Sequence, residues 1–169
     1  MRKPGKGVVG VAVALVLAAV GGGILSRSLL RTGASRSSAT AARVLVLFNK
    51  QRAARGLGAL KTDAKLTRAA QSHSDDMLRR GYFAHDGPQG TWDVRLRRYV
   101  RRRVVAEILS YGAGRYATPS GMVNAWMQSP THRDVILTRA LRLVGLGIAT
   151  GTYRGQHDVA MVTADFSSS

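Results

Sequence analysis

The chain has 169 residues, is 45% hydrophobic and contains no cysteine, which suits one folded domain with a tail. That composition excludes wholesale disorder, a disulfide framework and any thiolate metal site. The formal charge is +17; residues 1–40 hold six basic side chains and no acidic one, leaving 20 basic against nine acidic, a net +11, in the remainder. Such a surface attracts polyanions such as an acidic envelope polymer or anionic lipid. Only five of the 26 basic residues are lysine, however, and an arginine excess of this kind also arises from compositional bias. The densest basic run, residues 95–103, matches no nucleic-acid-binding motif, so a nucleic acid is not expected as a partner.

In chain order, Met1–Lys6 is a basic leader and residues 7–25 are uncharged and apolar. Those 19 residues fall between the roughly 7–15 of a signal-peptide core and the roughly 20 of a spanning helix. Residues 1–26 are therefore expected to be a signal peptide or an N-terminal membrane anchor acting through residues 7–25. Either role puts the rest of the chain on the extracellular side of the cell membrane or in the secreted fraction. Residues 27–40, small, polar and arginine-bearing, read as a flexible linker, and residues 41–169 as the domain, expected to be a monomer.

The domain opens with a helix over about Thr40–Arg55, where Val44, Leu47, Phe48 and the stem of Arg52 recur at helical spacing before Gly56. A second helix, capped near Thr62, carries Leu66, Ala69, Ala70, His73 and Met77 as one stripe and stops at Gly81. His73 on that stripe reads as a satisfied core histidine. Thr91 caps a short helix, and Val104–Ser110 is rich in β-branched residues and reads as a strand. Thr118-Pro119 is an N-cap followed by a first-turn proline, opening a helix with Met122, Val123 and Trp126 on one face. Another turn of helix from Thr131 holds Val135 and Ile136. Val144–Ala149 and Val159–Phe166 read as a hairpin, with His157 exposed and without function in its turn. Helices first, a central strand, helices again and a closing hairpin make an α+β arrangement.

His85, Glu107 and His132 are the candidate site residues, and Glu107 is the only glutamate in the chain. Two imidazoles and one carboxylate suit either acid/base work or a divalent-metal shell, zinc being the usual metal for such donors. No local His-x-x-x-His spacing supports the metal, and no nucleophile-elbow motif supports a Ser/His/Glu hydrolase.

The segments Leu47-Phe-Asn-Lys-Gln-Arg52, Gly81-Tyr-Phe-Ala-His85, Trp126-Met-Gln-Ser-Pro-Thr-His-Arg-Asp-Val-Ile-Leu137 and Val144-Gly-Leu-Gly147 resemble, in order and spacing, the bacterial branch of the CAP superfamily, whose SCP domain occurs in cysteine-rich secretory and pathogenesis-related proteins. The resemblance spans about residues 41–166 and implies a three-layer α-β-α sandwich with a cleft across one face. It implies that His85, His132 and Glu107 line that cleft, and that a second family glutamate is replaced near Ser129. The usual Gly-Glu-Asn triplet is Ala106-Glu-Ile108 here. The expected function is an exported, membrane-tethered domain whose cleft binds a ligand, with a divalent metal held by His85, His132 and Glu107 as an added feature. A secreted metal-assisted hydrolase and an envelope-binding module acting through its basic surface are the alternatives. The fold hosts many roles, so resemblance does not choose among them.

Overall fold

The structure, a computed structural model, describes residues 22–101 and 104–169. Helix α1 (Gly22–Ala53) leads through a two-residue strand β1 (Lys61–Thr62) to helix α2 (Ala64–Arg80). A loop and the short helix α3 (Trp92–Arg97) precede strand β2 (Val105–Gly112). A 3-10 turn at Gly114–Ala117 then leads to helices α4 (Pro119–Gln128) and α5 (Pro130–Leu137), followed by the hairpin of β3 (Leu143–Tyr153) and β4 (Gln156–Ser167).

The strands form one sheet in the order β1-β3-β4-β2, parallel between β1 and β3 and antiparallel elsewhere. One face of the sheet is covered by α1, α4 and α5. Val44 and Phe48 of α1, Met122 and Trp126 of α4 and Ile136 of α5 are buried there against Ile108, Val162 and Phe166. The Trp126 ring lies 5.5 Å from that of Phe48, and its Nε1 donates to the Leu109 carbonyl at 2.9 Å. The other face is covered by α2 and α3, with Leu66, Ala69, Leu96 and Val100 in one cluster and Met77 against Leu109 and Met161 in another. Two helical layers enclosing a sheet give an α-β-α sandwich, as expected.

Local signals explain the element ends. Thr118 accepts from the Gly121 amide with Pro119 in the first turn of α4, and Gly81 ends α2 at φ 71, a left-handed position that suits glycine. The cap of α2 is Asp63 rather than Thr62, its carboxylate accepting from the amides of Lys65 and Leu66. Glycines 145 and 147 answer a packing demand: a Cβ on either would stand 2.0 and 2.2 Å from the α2 backbone. Their absence of side chains lets α2 lie directly on β3.

Residues 27–40, where composition reads as a flexible linker, are helical and continue α1 backwards from its packed half. The reason is physical. Val44, Phe48 and Arg52 pin the helix by tertiary contact, so further turns need no new nucleus, and the stretch holds no proline and only Gly33 as a poor helix former. Of the apolar segment at 7–25, residues 7–21 lie outside the described residues. Among the described residues, no helix is long and apolar enough to cross a membrane.

One buried cation holds the α1 layer together. Arg52, fully buried, donates through Nε to Gly58 at 2.8 Å, through Nη1 to the carbonyls of Ile136 and Thr138 at 2.8 and 3.0 Å, and through Nη2 to Leu141 at 3.1 Å. It satisfies carbonyls at the C-terminal end of α5, where intrahelical donors run out. What reads as an apolar stem in the helical stripe is a full guanidinium clamp.

Candidate functional site: a cleft at the β2 edge

The site grows from the loop after α2. Three polar contacts shape that loop: Tyr82 donates its hydroxyl to Asp76 at 3.0 Å, His73 Nε2 meets the Ala84 carbonyl at 3.0 Å, and, at the surface, Asp86 accepts from the Trp92 amide at 2.9 Å. Burial and the Asp76 carboxylate push the Tyr82 phenol up to about 12, so it remains a donor. Burial raises Asp76, but the Arg80 and Tyr82 hydrogen bonds outweigh that and hold it below its ordinary value. His73 is the core histidine its helical position suggests, and desolvation, then the charge of Arg95, lowers its pKa. Its work is to tie the loop that carries His85.

His85 Nδ1 stands 2.8 Å from Glu107 Oε1, with the imidazole half exposed and the carboxylate side chain only 1% exposed. The other Glu107 oxygen accepts from Arg95 Nη2 at 2.5 Å, and the same Nη2 reaches the His85 carbonyl at 3.3 Å. An ionised carboxylate only accepts, so His85 carries its proton on Nδ1 and keeps Nε2 for the cleft. Burial alone would raise Glu107; the hydrogen bond from His85 and the charge of Arg95 outweigh it and hold the carboxyl below its usual range.

The second histidine comes from the other helical layer. His132, in the first turn of α5, bonds through Nδ1 to the hydroxyl of Ser129 at 2.8 Å. Desolvation and then the charge of His85 lower its pKa. His85 with Glu107 and Ser129 with His132 thus form two bonded pairs at the β2 edge of the sheet.

The three-residue metal shell expected of His85, His132 and Glu107 is not assembled. Both Glu107 oxygens are engaged by protein donors, and among the described residues no three His, Cys, Asp or Glu side chains are grouped to hold a metal ion. Glu107 stands behind His85 and orients it, the place of a carboxylate that fixes an imidazole.

Two site residues escape sequence reasoning. Arg95 is buried through its anchoring next to Leu96 and clasps both Glu107 and the loop. Asp165, fully buried, is the direct cross-strand neighbour of Glu107 on one side and of Gly145 on the other. Neither of its oxygens has a hydrogen-bond partner when both are acceptors. Burial and then the Glu107 charge raise its pKa well above its ordinary value, which favours the protonated acid beside the Glu107 carboxylate. The signal was a single carboxylate inside the apolar run Val159–Phe166.

Phe83 and Tyr111 stack edge to face at 4.8 Å and remain partly exposed, and Tyr111 continues to Tyr153 at 5.1 Å. A separate groove of about 860 Å³ lies between the middle of α1, α2 and β3, and none of the four cleft residues lines it. Its edge is closed by Gln71, whose amide both donates to and accepts from Ile148 at 3.1 and 2.9 Å.

Comparison with known proteins identifies the family. The model of the cysteine-rich secretory protein family, CAP, matches residues 45–166. The Bacillus subtilis protein YkwD, described as uncharacterized, is 31% identical over 115 residues, 67% of this chain and 44% of its own length. An SCP-domain extracellular protein of Bacillus anthracis superposes with a TM-score of 0.64 at 27% identity, over 79% of this chain and 41% of that one. An outer surface protein of Borrelia burgdorferi, 18% identical, shares the fold with a TM-score of 0.63 over 73% of this chain and 88% of its own. The chain thus spans less than half of the two Bacillus proteins it matches. With the family model matched over residues 45–166 and the sandwich shared with solved SCP-domain structures, this cysteine-free chain belongs to the CAP family.

Proposed function

We propose that the domain is an extracellular binding module whose β2-edge cleft holds a ligand through His85 and His132, delivered or tethered by residues 1–26. The observation that carries this reading is the complete engagement of Glu107. With one oxygen on His85 and the other on Arg95, the buried carboxylate presets the imidazole and leaves Nε2 as the group offered outward. Pre-orientation of a polar group on a rigid scaffold is what selective binding needs. The partly exposed Phe83 and Tyr111 rings, two positions from His85 and four from Glu107 in the chain, offer an apolar face, so the fitting ligand combines hydrogen-bonding groups with a flat apolar face. The extracellular Bacillus anthracis relative supports the location.

Hydrolysis is the weaker reading. The Ser129–His132 contact is a nucleophile–base pair in form, but the carboxylate that would complete a triad is bonded to the other imidazole. A ligand-observed NMR screen of sugars, short peptides and small amides tests the proposal. Hits that vanish in the His85→Ala/His132→Ala variant are expected. Hits that bind the variant equally well would overturn it.

A further inference from the structure

The six arginines of Arg95-Leu-Arg-Arg-Tyr-Val-Arg-Arg-Arg103 do not share one role. Arg95 turns inward to Glu107. Leu96 and Val100, four positions apart, are buried with Leu66 and Ala69, and this anchoring leaves Arg97, Arg98 and Arg101 exposed. Lys65 directly precedes Leu66 and is exposed on the facing wall. Packing of apolar anchors therefore draws Lys65, Arg97, Arg98 and Arg101 around a concavity of about 380 Å³ that Tyr99 and Val100 also line, with no carboxylate among its described lining residues.

Gathering like charges costs free energy unless something neutralises them. Among the described residues, Lys65, Arg98 and Arg101 make no ion pair, and Arg98 uses one nitrogen on the Gln89 carbonyl, keeping other donors of its fork. Asp93, one helical turn before Arg97, reaches it electrostatically, whereas no carboxylate is ion-paired with Lys65, Arg98 or Arg101 among the described residues. Guanidinium groups match the oxygens of a phosphate in pairs, and an ammonium adds a point charge.

We propose that this concavity is a phosphate-binding site, accepting the oxyanion of a phosphate ester either free in solution or on a lipid headgroup. It lies apart from the histidine cleft, shares no residue with it and stands or falls independently of the cleft's ligand. The alternative, that binding follows only from overall positive charge, makes a different prediction, because then any cations would serve.

The test uses the full chain in nonionic detergent at about 150 mM salt, where general charge effects are screened beyond roughly 8 Å. Calorimetry with inorganic phosphate, and with the same micelles doped with phosphatidylglycerol, separates the two sources. The K65A/R98A/R101A variant is compared with R43A/K50A/R139A, which removes equal charge from exposed positions elsewhere. The site variant should lose at least about tenfold in affinity, the effect of about one lost charge-assisted contact, and the control less than about threefold. Binding of phosphate itself assigns a free ligand, and binding to doped micelles alone assigns a headgroup. Equal losses in both variants, or no binding of wild type to either probe, would overturn the site.

Discussion

Glu107 and Asp165 face each other across β2 and β4 as buried cross-strand neighbours, one carboxyl depressed and the other raised. Two carboxylates side by side without water cannot both ionise cheaply, so the pair divides its protons between one acid and one carboxylate. Arg95 and His85 decide the direction, because both donate to Glu107.

The first prediction concerns pH. A raised carboxyl binds its proton more tightly when folded, so its stabilising effect is complete below its unfolded value of about 3.9 and is lost as pH climbs towards the folded value. Glu107 runs the other way, stabilising above about 4.3 and losing that effect as pH falls through its depressed folded value. Asp165→Asn keeps a donor for Glu107 and removes the ionisation. The variant should therefore gain on wild type as pH rises from about 4, by up to about 1.4 kcal/mol per pH unit until the folded value is reached. Urea unfolding at several pH values measures this. A difference independent of pH would place no proton on Asp165.

Arg52 supplies the second. Replacing it with Met leaves the carbonyls of Gly58, Ile136, Thr138 and Leu141 without their donor. The cost should be about 3 kcal/mol or more by chemical denaturation, since buried unsatisfied groups cost about 1–3 kcal/mol each. Arg52→Lys should rescue little of it, because one ammonium cannot span the four acceptors. Full rescue by Lys would reduce the clamp to a simple charge.

Trp126 is buried against Phe48 and bonded to Leu109, so Trp126→Ala should cost about 3–5 kcal/mol. A change of a few tenths in thermal or urea unfolding would contradict its place in the core.

Residues 41–169 are predicted to fold without the segment before them. Residues 35 to 40 are exposed or half-buried, whereas the packed half of α1 begins at Val44. The shortened protein should unfold cooperatively. Loss of a cooperative transition, with the full chain in detergent retaining one, would move the boundary upstream.

The elements most legible in the sequence are those set by neighbours in the chain. Thr118 with Pro119, and Gly81 after a clear stripe, are complete local instructions for where a helix starts or stops. The stripe through Val44 and Phe48 marked the buried face of α1, but the role of Arg52 depends on carbonyls more than 80 positions away. Likewise His85 and Glu107 stand out by residue type, whereas Asp165 joins them only through strand register, which no local pattern encodes. Arg95 was hidden among arginines that look alike until Leu96 is seen to be the anchor. The two-residue β1 has no periodicity to detect and exists by its parallel pairing with β3.

Everything proposed for the cleft depends on Glu107 presetting His85, and the tautomer of the ring reports that directly. Long-range proton–nitrogen NMR on histidine-labelled protein, with the ring neutral, should find the proton of His85 on Nδ1 and a bare Nε2. In Glu107→Gln the amide oxygen should turn to Arg95 and its NH2 to the imidazole, reversing the tautomer to Nε2–H. A proton on Nε2 in wild type, or a tautomer unchanged in Glu107→Gln, would contradict the presetting of His85 by Glu107.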